Sequence, residues 1–146
     1  MGKRIIETEI DGKKYPLNFS IKAGVLFAER YGSVEDTWES VSKKTKTEQL
    51  REICWMLQTL IEQGFAYQKI FEEEQNQIPE KIPTAEDLEI MMGFMEFYRM
   101  QDEIQKAMLA GISPEVQVEL KKKAKEKVKE AIKSTQKDIS GASITS

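Results

Sequence analysis

A β-hairpin near the N-terminus is the feature that most constrains this chain. Asp11-Gly12 separates two runs of alternating polarity, and this dipeptide is the strongest short-range signal for a two-residue hairpin turn. Such a turn pairs Thr8 with Tyr15 and Ile6 with Leu17. Because side chains alternate between the two faces of a strand, one face of the hairpin is expected to carry Ile6, Thr8, Ile10, Tyr15, Leu17 and Phe19. Two strands alone are marginally stable in water, so this face needs a helical cover.

Apolar residues at helical spacing, together with capping residues, predict that the rest of the chain is mainly helical. Helices are expected over residues 21–31, from 33 to the connector at 43–46, from Thr45 to 64, over 65–75, over 85–109 and over 114–134. The predicted fold class is α+β, mainly α: an N-terminal two-stranded β-hairpin packed on a helical bundle, with a C-terminal helical arm. The side chains expected to be buried together are Ile6, Tyr15, Leu17, Phe19, Val25, Leu57 and Leu60.

Two residues inside these predicted helices carry a structural interpretation. Gly24 costs its helix roughly 1 kcal/mol relative to alanine, and we interpret it as a point of close packing against the hairpin. Cys54 lies on the apolar stripe of the third helix, which is typical of a small buried residue and not of a reactive thiol.

Charge divides the chain into an acidic body and a basic arm. Residues 114–137 contain eight Lys and four Glu, and the whole chain has a net charge of -3. We expect a hairpin and helical body over 1–112, a basic helical arm over 113–134 and a disordered tail over 135–146. The apolar line of the arm is thin, so its deletion should leave the body folded. Its lysines alternate with glutamates and have no Arg or aromatic neighbour, which argues against binding to nucleic acid.

Several function classes have no support in the residues. Histidine is absent and Cys54 is the only cysteine, which excludes His-based triads, His-containing zinc sites and an intramolecular disulfide. The carboxylates of 72–74 are interpreted as a solvated surface, because no calcium-loop pattern accompanies them. We expect no enzyme activity, no cofactor, no metal site, no membrane span and a cytoplasmic protein.

The predicted helix over 85–109 contains five of the seven methionines. Methionine side chains are flexible and polarizable and are over-used on surfaces that accept several shapes. Core filling and a self-association seam are the alternatives for this stripe. The candidate partner-binding residues are Met91, Met92, Phe94, Met95, Tyr98 and Met100.

Three stretches of residues 4–71 form a recognisable pattern: Glu-Ile-Asp-Gly-Lys-Lys-Tyr-Pro-Leu at 9–17, Ala-Gly-Val-Leu-Phe-Ala-Glu-Arg-Tyr-Gly at 23–32, and a Leu-rich helix ending in Leu-Ile-Glu-Gln-Gly at 60–64. This pattern resembles the tail assembly chaperones of long-tailed bacteriophages, particularly those of Gram-positive hosts. The resemblance implies a small non-enzymatic protein, made in the cytoplasm of the bacterial host and absent from the mature virion. Such a protein binds the tape measure protein and keeps it soluble during tail assembly.

The resemblance also implies that this chain is the short form of such a chaperone. A longer form, made by a translational frameshift, would recruit the tail tube protein. Two alternatives remain open: a structural minor tail or head-tail connector protein of a phage or prophage, and a small DNA-binding regulator that uses the basic arm. A tape measure gene immediately downstream would favour the chaperone.

Overall fold

The computed structural model describes residues 5–71 and 81–112. Every described residue belongs to one compact unit, which ends at Ile112. The predicted arm, the predicted disordered tail and the carboxylate run at 72–74 lie outside the described residues.

The described residues form a two-stranded antiparallel hairpin followed by helices, so the predicted α+β, mainly α fold is confirmed. The elements, in chain order, are β1 (Ile5–Ile10), β2 (Lys13–Asn18), α1 (Ile21–Tyr31), α2 (Thr37–Ser42), α3 (Lys46–Phe71), α4 (Ala85–Met91) and α5 (Phe94–Gly111).

The hairpin has the predicted register. Ile6 lies opposite Leu17 and Thr8 lies opposite Tyr15. Asp11 and Gly12 both have positive φ angles, of 51° and 79°, as a turn that follows the right-handed twist of the strands requires. The two turn residues therefore set the register of the strands, and the register determines which side chains share the apolar face.

The hairpin lies between the two longest helices. On the β2 side, α3 approaches so closely that a Cβ atom on Gly64 would lie 2.2 Å from the carbonyl oxygen of Pro16. On the β1 side, the Thr8 hydroxyl donates a hydrogen bond to the Met100 sulfur of α5, at 3.7 Å. The apolar face of the hairpin is thereby removed from water and forms the centre of the core.

The core combines side chains from both strands and from all five helices of the described part. Of the set predicted to be buried, Tyr15, Leu17, Phe19, Leu57 and Leu60 lie in it, and Ile6 is half-buried against it. The buried hydrophobic residues are Ile10, Tyr15, Leu17, Phe19, Ala23, Phe27, Tyr31, Val41, Ile53, Cys54, Met56, Leu57, Leu60, Ile61, Phe65, Leu88, Phe97, Met100, Ile104, Ala107 and Met108.

Helix α1 has its predicted limits, but one residue predicted to be buried is exposed. The Ser20 hydroxyl accepts a hydrogen bond from the Ala23 amide at 3.0 Å, and Gly32 ends the helix with a φ of 93°. The prediction that Val25 is buried was wrong, since 50% of this residue is exposed. The buried face consists of Ala23, Phe27 and Tyr31.

The interpretation of Gly24 as a site of close packing was also wrong. A Cβ atom at this position would meet the Phe19 ring at 3.8 Å and a Val34 methyl at 3.9 Å, which is ordinary van der Waals contact. The close approaches in this fold are made by glycines of other helices. A Cβ atom on Gly111, at the end of α5, would lie 2.2 Å from the Phe19 carbonyl oxygen.

Helix α2 begins later than predicted. Ser33 accepts a hydrogen bond from the Asp36 amide at 3.2 Å, but the segment 33–36 forms a turn and the helix starts at Thr37. The Ser33 side chain therefore stabilises the turn that precedes the helix.

Helix α3 is one continuous helix of 26 residues, where two helices separated at Gly64 were predicted. Glycine is a poor helix former, but here its missing side chain lets the helix contact the Pro16 carbonyl. Leu50 is half-buried, and the buried apolar side chains from there to Ile61 are Ile53, Cys54, Met56, Leu57, Leu60 and Ile61.

The helix predicted over 85–109 is interrupted. Met92 and Gly93 both have extended backbone, with ψ angles of 137° and 173°, and they separate α4 from α5. Apolar periodicity continues across the break, which is why the sequence predicted a single helix. The interruption changes which of the methionines reach the surface.

Candidate functional site

Two adjoining cavities form one apolar groove on the surface of the body. The smaller, of about 180 Å³, lies between α3, α4 and the start of α5. The larger, of about 410 Å³, lies between α2, α3 and α5. Leu50, Phe94 and Phe97 line both cavities. We refer to the residues that line either cavity as the groove: Trp38, Val41, Ser42, Lys46, Gln49, Leu50, Ile53, Cys54, Leu88, Glu89, Met92, Gly93, Phe94, Phe97, Tyr98 and Gln101.

Capping and side-chain contacts place α4 against α3. Thr84 and Asp87 form a capping box, with hydrogen bonds of 2.9 and 3.1 Å, which fixes the start of α4. The adjacent Ala85 amide donates to Gln58 at 2.7 Å. Further along, Arg51 lies 3.8 Å from Glu89. Helix α4 therefore runs antiparallel to α3 and brings its C-terminal end to the groove.

The break between α4 and α5 opens the groove. After Gly93 the chain turns, and α5 leaves along β1, where Glu96 accepts a hydrogen bond from the Asp11 amide at 3.1 Å. Arg99, one turn further, donates to the carbonyl oxygen of Glu9. The first turn of α5 thus faces α2 and α3 without filling the space between them.

The structure separates the six candidate partner-binding residues into three groups. Met92, Phe94 and Tyr98 line the groove, and the last two are 69% and 62% exposed. Met91 is half-buried against the core, and Met95 is 84% exposed but does not line the groove. Met100 is fully buried, so it is a core residue that a partner cannot reach.

Several groove residues were not among those candidates. Phe97 belongs to the same first turns of α5 as Phe94 and Tyr98, and its spacing of three residues from Phe94 was a usable signal. Leu50 and Trp38 come from other helices, and nothing local in the sequence connects them with residues 92–98. Their place in the groove depends on the way the helices pack.

The groove is lined mainly by aromatic and aliphatic side chains. Ser42, Gln49 and Gln101 contribute uncharged polar groups to the lining. Gln49 already donates hydrogen bonds to the carbonyl oxygens of Ser42 and Lys44, at 3.3 and 2.9 Å. Apolar concave surfaces with few polar groups are typical of binding sites. The arrangement can therefore accept apolar side chains of a partner.

A second cluster of functional groups lies between α1 and α3. Arg30 donates two hydrogen bonds to the Glu52 carboxylate, at 2.6 and 2.9 Å, and the Tyr31 hydroxyl donates a third at 2.8 Å. The Arg30 guanidinium also lies 4.3 Å from the centre of the Trp55 ring. Hydrogen bonds from Arg30 and then from Tyr31 hold the pKa of Glu52 below its usual range, against the opposing effect of burial.

This cluster is suited to holding helices together. Burial, followed by the hydrogen bond to Glu52, raises the pKa of Tyr31, so both groups keep one protonation state at neutral pH. General acid-base catalysis needs a pKa near the working pH. At the other end of α1, the Ser20 hydroxyl donates to the Gln63 side chain at 2.6 Å, so α1 is joined to α3 at two points.

The Cys54 side chain lines the smaller cavity but is buried, as predicted. Burial, with a smaller effect of Glu89, raises the pKa of its thiol to about 11. Since the thiolate is the reactive form, this cysteine acts as a small apolar residue.

Within 5–71 and 81–112, no three His, Cys, Asp or Glu side chains gather closely enough to hold a metal ion. Over the same ranges, no helix is both long and apolar enough to cross a membrane.

Comparison with known proteins gave no match: no family model, no curated protein and no solved structure is similar to this chain.

Proposed function

We propose that this chain is a tail assembly chaperone of a long-tailed bacteriophage, which binds the tape measure protein in the cytoplasm of the bacterial host and keeps it soluble. The observation that carries the proposal is the apolar groove with Phe94 and Tyr98 exposed at its edge. The resemblance of residues 4–71 to such chaperones supplies the identity of the partner.

The groove supplies a physical mechanism for this function. A long helical protein exposes apolar stripes before its assembly partners enclose it, and exposed apolar patches of that kind drive aggregation. An amphipathic helix binds by laying its apolar face into a hydrophobic groove. Phe94 and Tyr98 are one helical turn apart, so they present a two-ring edge that can contact successive turns of such a helix.

Co-expression with the tape measure protein from the same gene neighbourhood tests the proposal. The double variant Phe94→Glu, Tyr98→Glu places two carboxylates at the edge of the groove. Both side chains are mostly exposed, so the protein should remain folded while the tape measure protein precipitates. The parent chain should keep it soluble.

Met95→Glu is the matched control. Met95 lies on the same helical turn and is more exposed than either ring, but it does not line the groove. This variant should solubilise the tape measure protein as well as the parent does. Full solubilisation by the double variant would overturn the assignment of the groove.

A further inference from the structure

The groove has a long axis, and its two ends differ in charge. Along α3 it extends from Cys54 at one end to Lys46 at the other, which is about 12 Å at 1.5 Å per residue. This length corresponds to about two turns of a helix lying in the groove. A ligand helix can therefore place two or three apolar side chains in it, at spacings of three to four residues.

Only two of the described residues that line the groove are charged, and they lie at opposite ends. Glu89 lines the smaller cavity beside Cys54, and Lys46 lines the larger one. Arg51, 3.8 Å from Glu89, offsets part of the carboxylate charge, but its side chain is 69% exposed and such surface pairs are weak. Lys44, two residues before Lys46, is half-buried and lines neither cavity.

A helix that enters this groove carries its own dipole, with a positive N-terminus and a negative C-terminus. We infer that the groove selects one direction of the bound helix: the N-terminal end lies at Glu89 and the C-terminal end lies at Lys46. The bound helix then runs antiparallel to α3. A basic side chain near the start of its contacting face and an acidic one near the end complete the match with Glu89 and Lys46.

The inference concerns the same groove and rests on the proposed function for the identity of the natural ligand, but it can be tested without the tape measure protein.

The test uses two fluorescent synthetic helices of about 15 residues. Each is held helical by a side-chain staple on its outer face, and both carry the same leucines on the inner face. One has Lys in its first turn and Glu in its last turn, and the other has the reverse order. The staple prevents the charge order from changing helix content.

The parent protein should bind the first peptide more tightly by about 2- to 5-fold, since a charge near a helix end contributes 0.3–1 kcal/mol. The double variant Lys46→Gln, Glu89→Gln, which removes both charges, should abolish this preference. Because the same two peptides are compared on both proteins, a preference caused by peptide helicity would persist in the variant. The preference should also shrink between about 0.05 M and about 1 M salt, where screening of surface charges is strong.

The possible results distinguish the inferred direction of the bound helix from the proposed chaperone function. If the parent binds both peptides equally, or if the uncharged double variant keeps the preference of the parent, the directional inference is wrong while the proposed function stands. If neither peptide binds although the tape measure protein is kept soluble, the groove is not the binding surface and the inference fails with it. If binding keeps its direction but the tape measure protein is never solubilised, the inference stands and the proposed partner is wrong.

Discussion

Gly64 of α3 lies against the carbonyl oxygen of Pro16, so closely that the helix has no room for a side chain at this position. This contact joins the longest helix directly to β2, without an intervening layer of side chains. The hairpin and the helix can therefore share one core although the sheet, within the described part of the chain, has only two strands.

Gly64→Ala should destabilise the protein by about 3 kcal/mol or more, because the new methyl group overlaps backbone atoms that cannot move alone. Urea unfolding measures the change. Gly24→Ala is the matched control: it also lies inside a helix, its methyl group fits in ordinary contact, and it should stabilise by roughly 0.5–1 kcal/mol. Equal effects of the two substitutions would contradict the close contact at Gly64.

Glu52→Gln should lower the free energy of unfolding at neutral pH by about 1–3 kcal/mol. The substitution leaves Arg30 and Tyr31 without their charged acceptor. The expected loss is modest because the Arg30 side chain is 40% exposed and solvent screens its charge. Chemical unfolding of parent and variant at neutral pH gives this difference.

The same variant tests the pH dependence of stability. The pKa of Glu52 is lower in the folded state than its usual value, so its contribution is present above that usual value, about 4.3, and is lost as the pH falls through the folded-state pKa. The parent should therefore lose more stability than Glu52→Gln between about pH 5 and about pH 2. If the difference in unfolding free energy between the two proteins stays constant over this range, ionisation of the Glu52 carboxylate does not cause the pH dependence.

Gly93→Pro should be tolerated, with a change in stability between about zero and a gain of 1 kcal/mol. The φ angle of Gly93 is -84° and the ψ angle of Met92 is 137°, and both are compatible with proline at this position. Gln105→Pro, inside α5, should cost about 3 kcal/mol. A similar loss at Gly93 would indicate that α4 and α5 form one helix in solution.

The Cys54 thiol should react slowly with an aromatic disulfide reagent at about pH 8. Its pKa of about 11 leaves little thiolate, and the side chain is buried, so the native protein should react on the order of a hundredfold more slowly than the urea-unfolded chain. Absorbance of the released thiol follows the reaction. Equal rates in both states would mean that the cavity beside Cys54 admits the reagent freely.

Features that depend on neighbours in the sequence were predicted well. The turn at Asp11-Gly12, the Ser20 cap and the end of α1 at Gly32 are each specified by a few adjacent residues. The apolar alternation of the strands then fixes the register of the hairpin, which the structure reproduces pair by pair.

Features that depend on distant contacts were not predictable in this way. The face of α1 with Phe27 and Tyr31 is buried because Glu52 and Trp55 of α3 contact it. Val25 is consequently exposed. Local propensity gave no reason to continue α3 through a glycine, since the reason is the Pro16 carbonyl of another element.

The groove was predictable in part. Composition directed attention to residues 91–100, and Met92, Phe94 and Tyr98 of this stretch do line it. The stretch could not be resolved into surface and core residues, because the break at Gly93 rotates α5 relative to α4 without interrupting the apolar pattern. Whether the groove binds a partner stays a prediction.

The two junctions between α1 and α3 constrain how the length of this protein can vary. Tyr31 lies eleven positions after Ser20, and Gln63 lies eleven positions after Glu52, so both helices span the same distance between the junctions. Inserting or deleting one residue in either interval would rotate one helix by about 100° and break one junction. Sequences that diverge from this one can replace many side chains here, but insertions and deletions should be confined to connections such as 33–36 and 43–45.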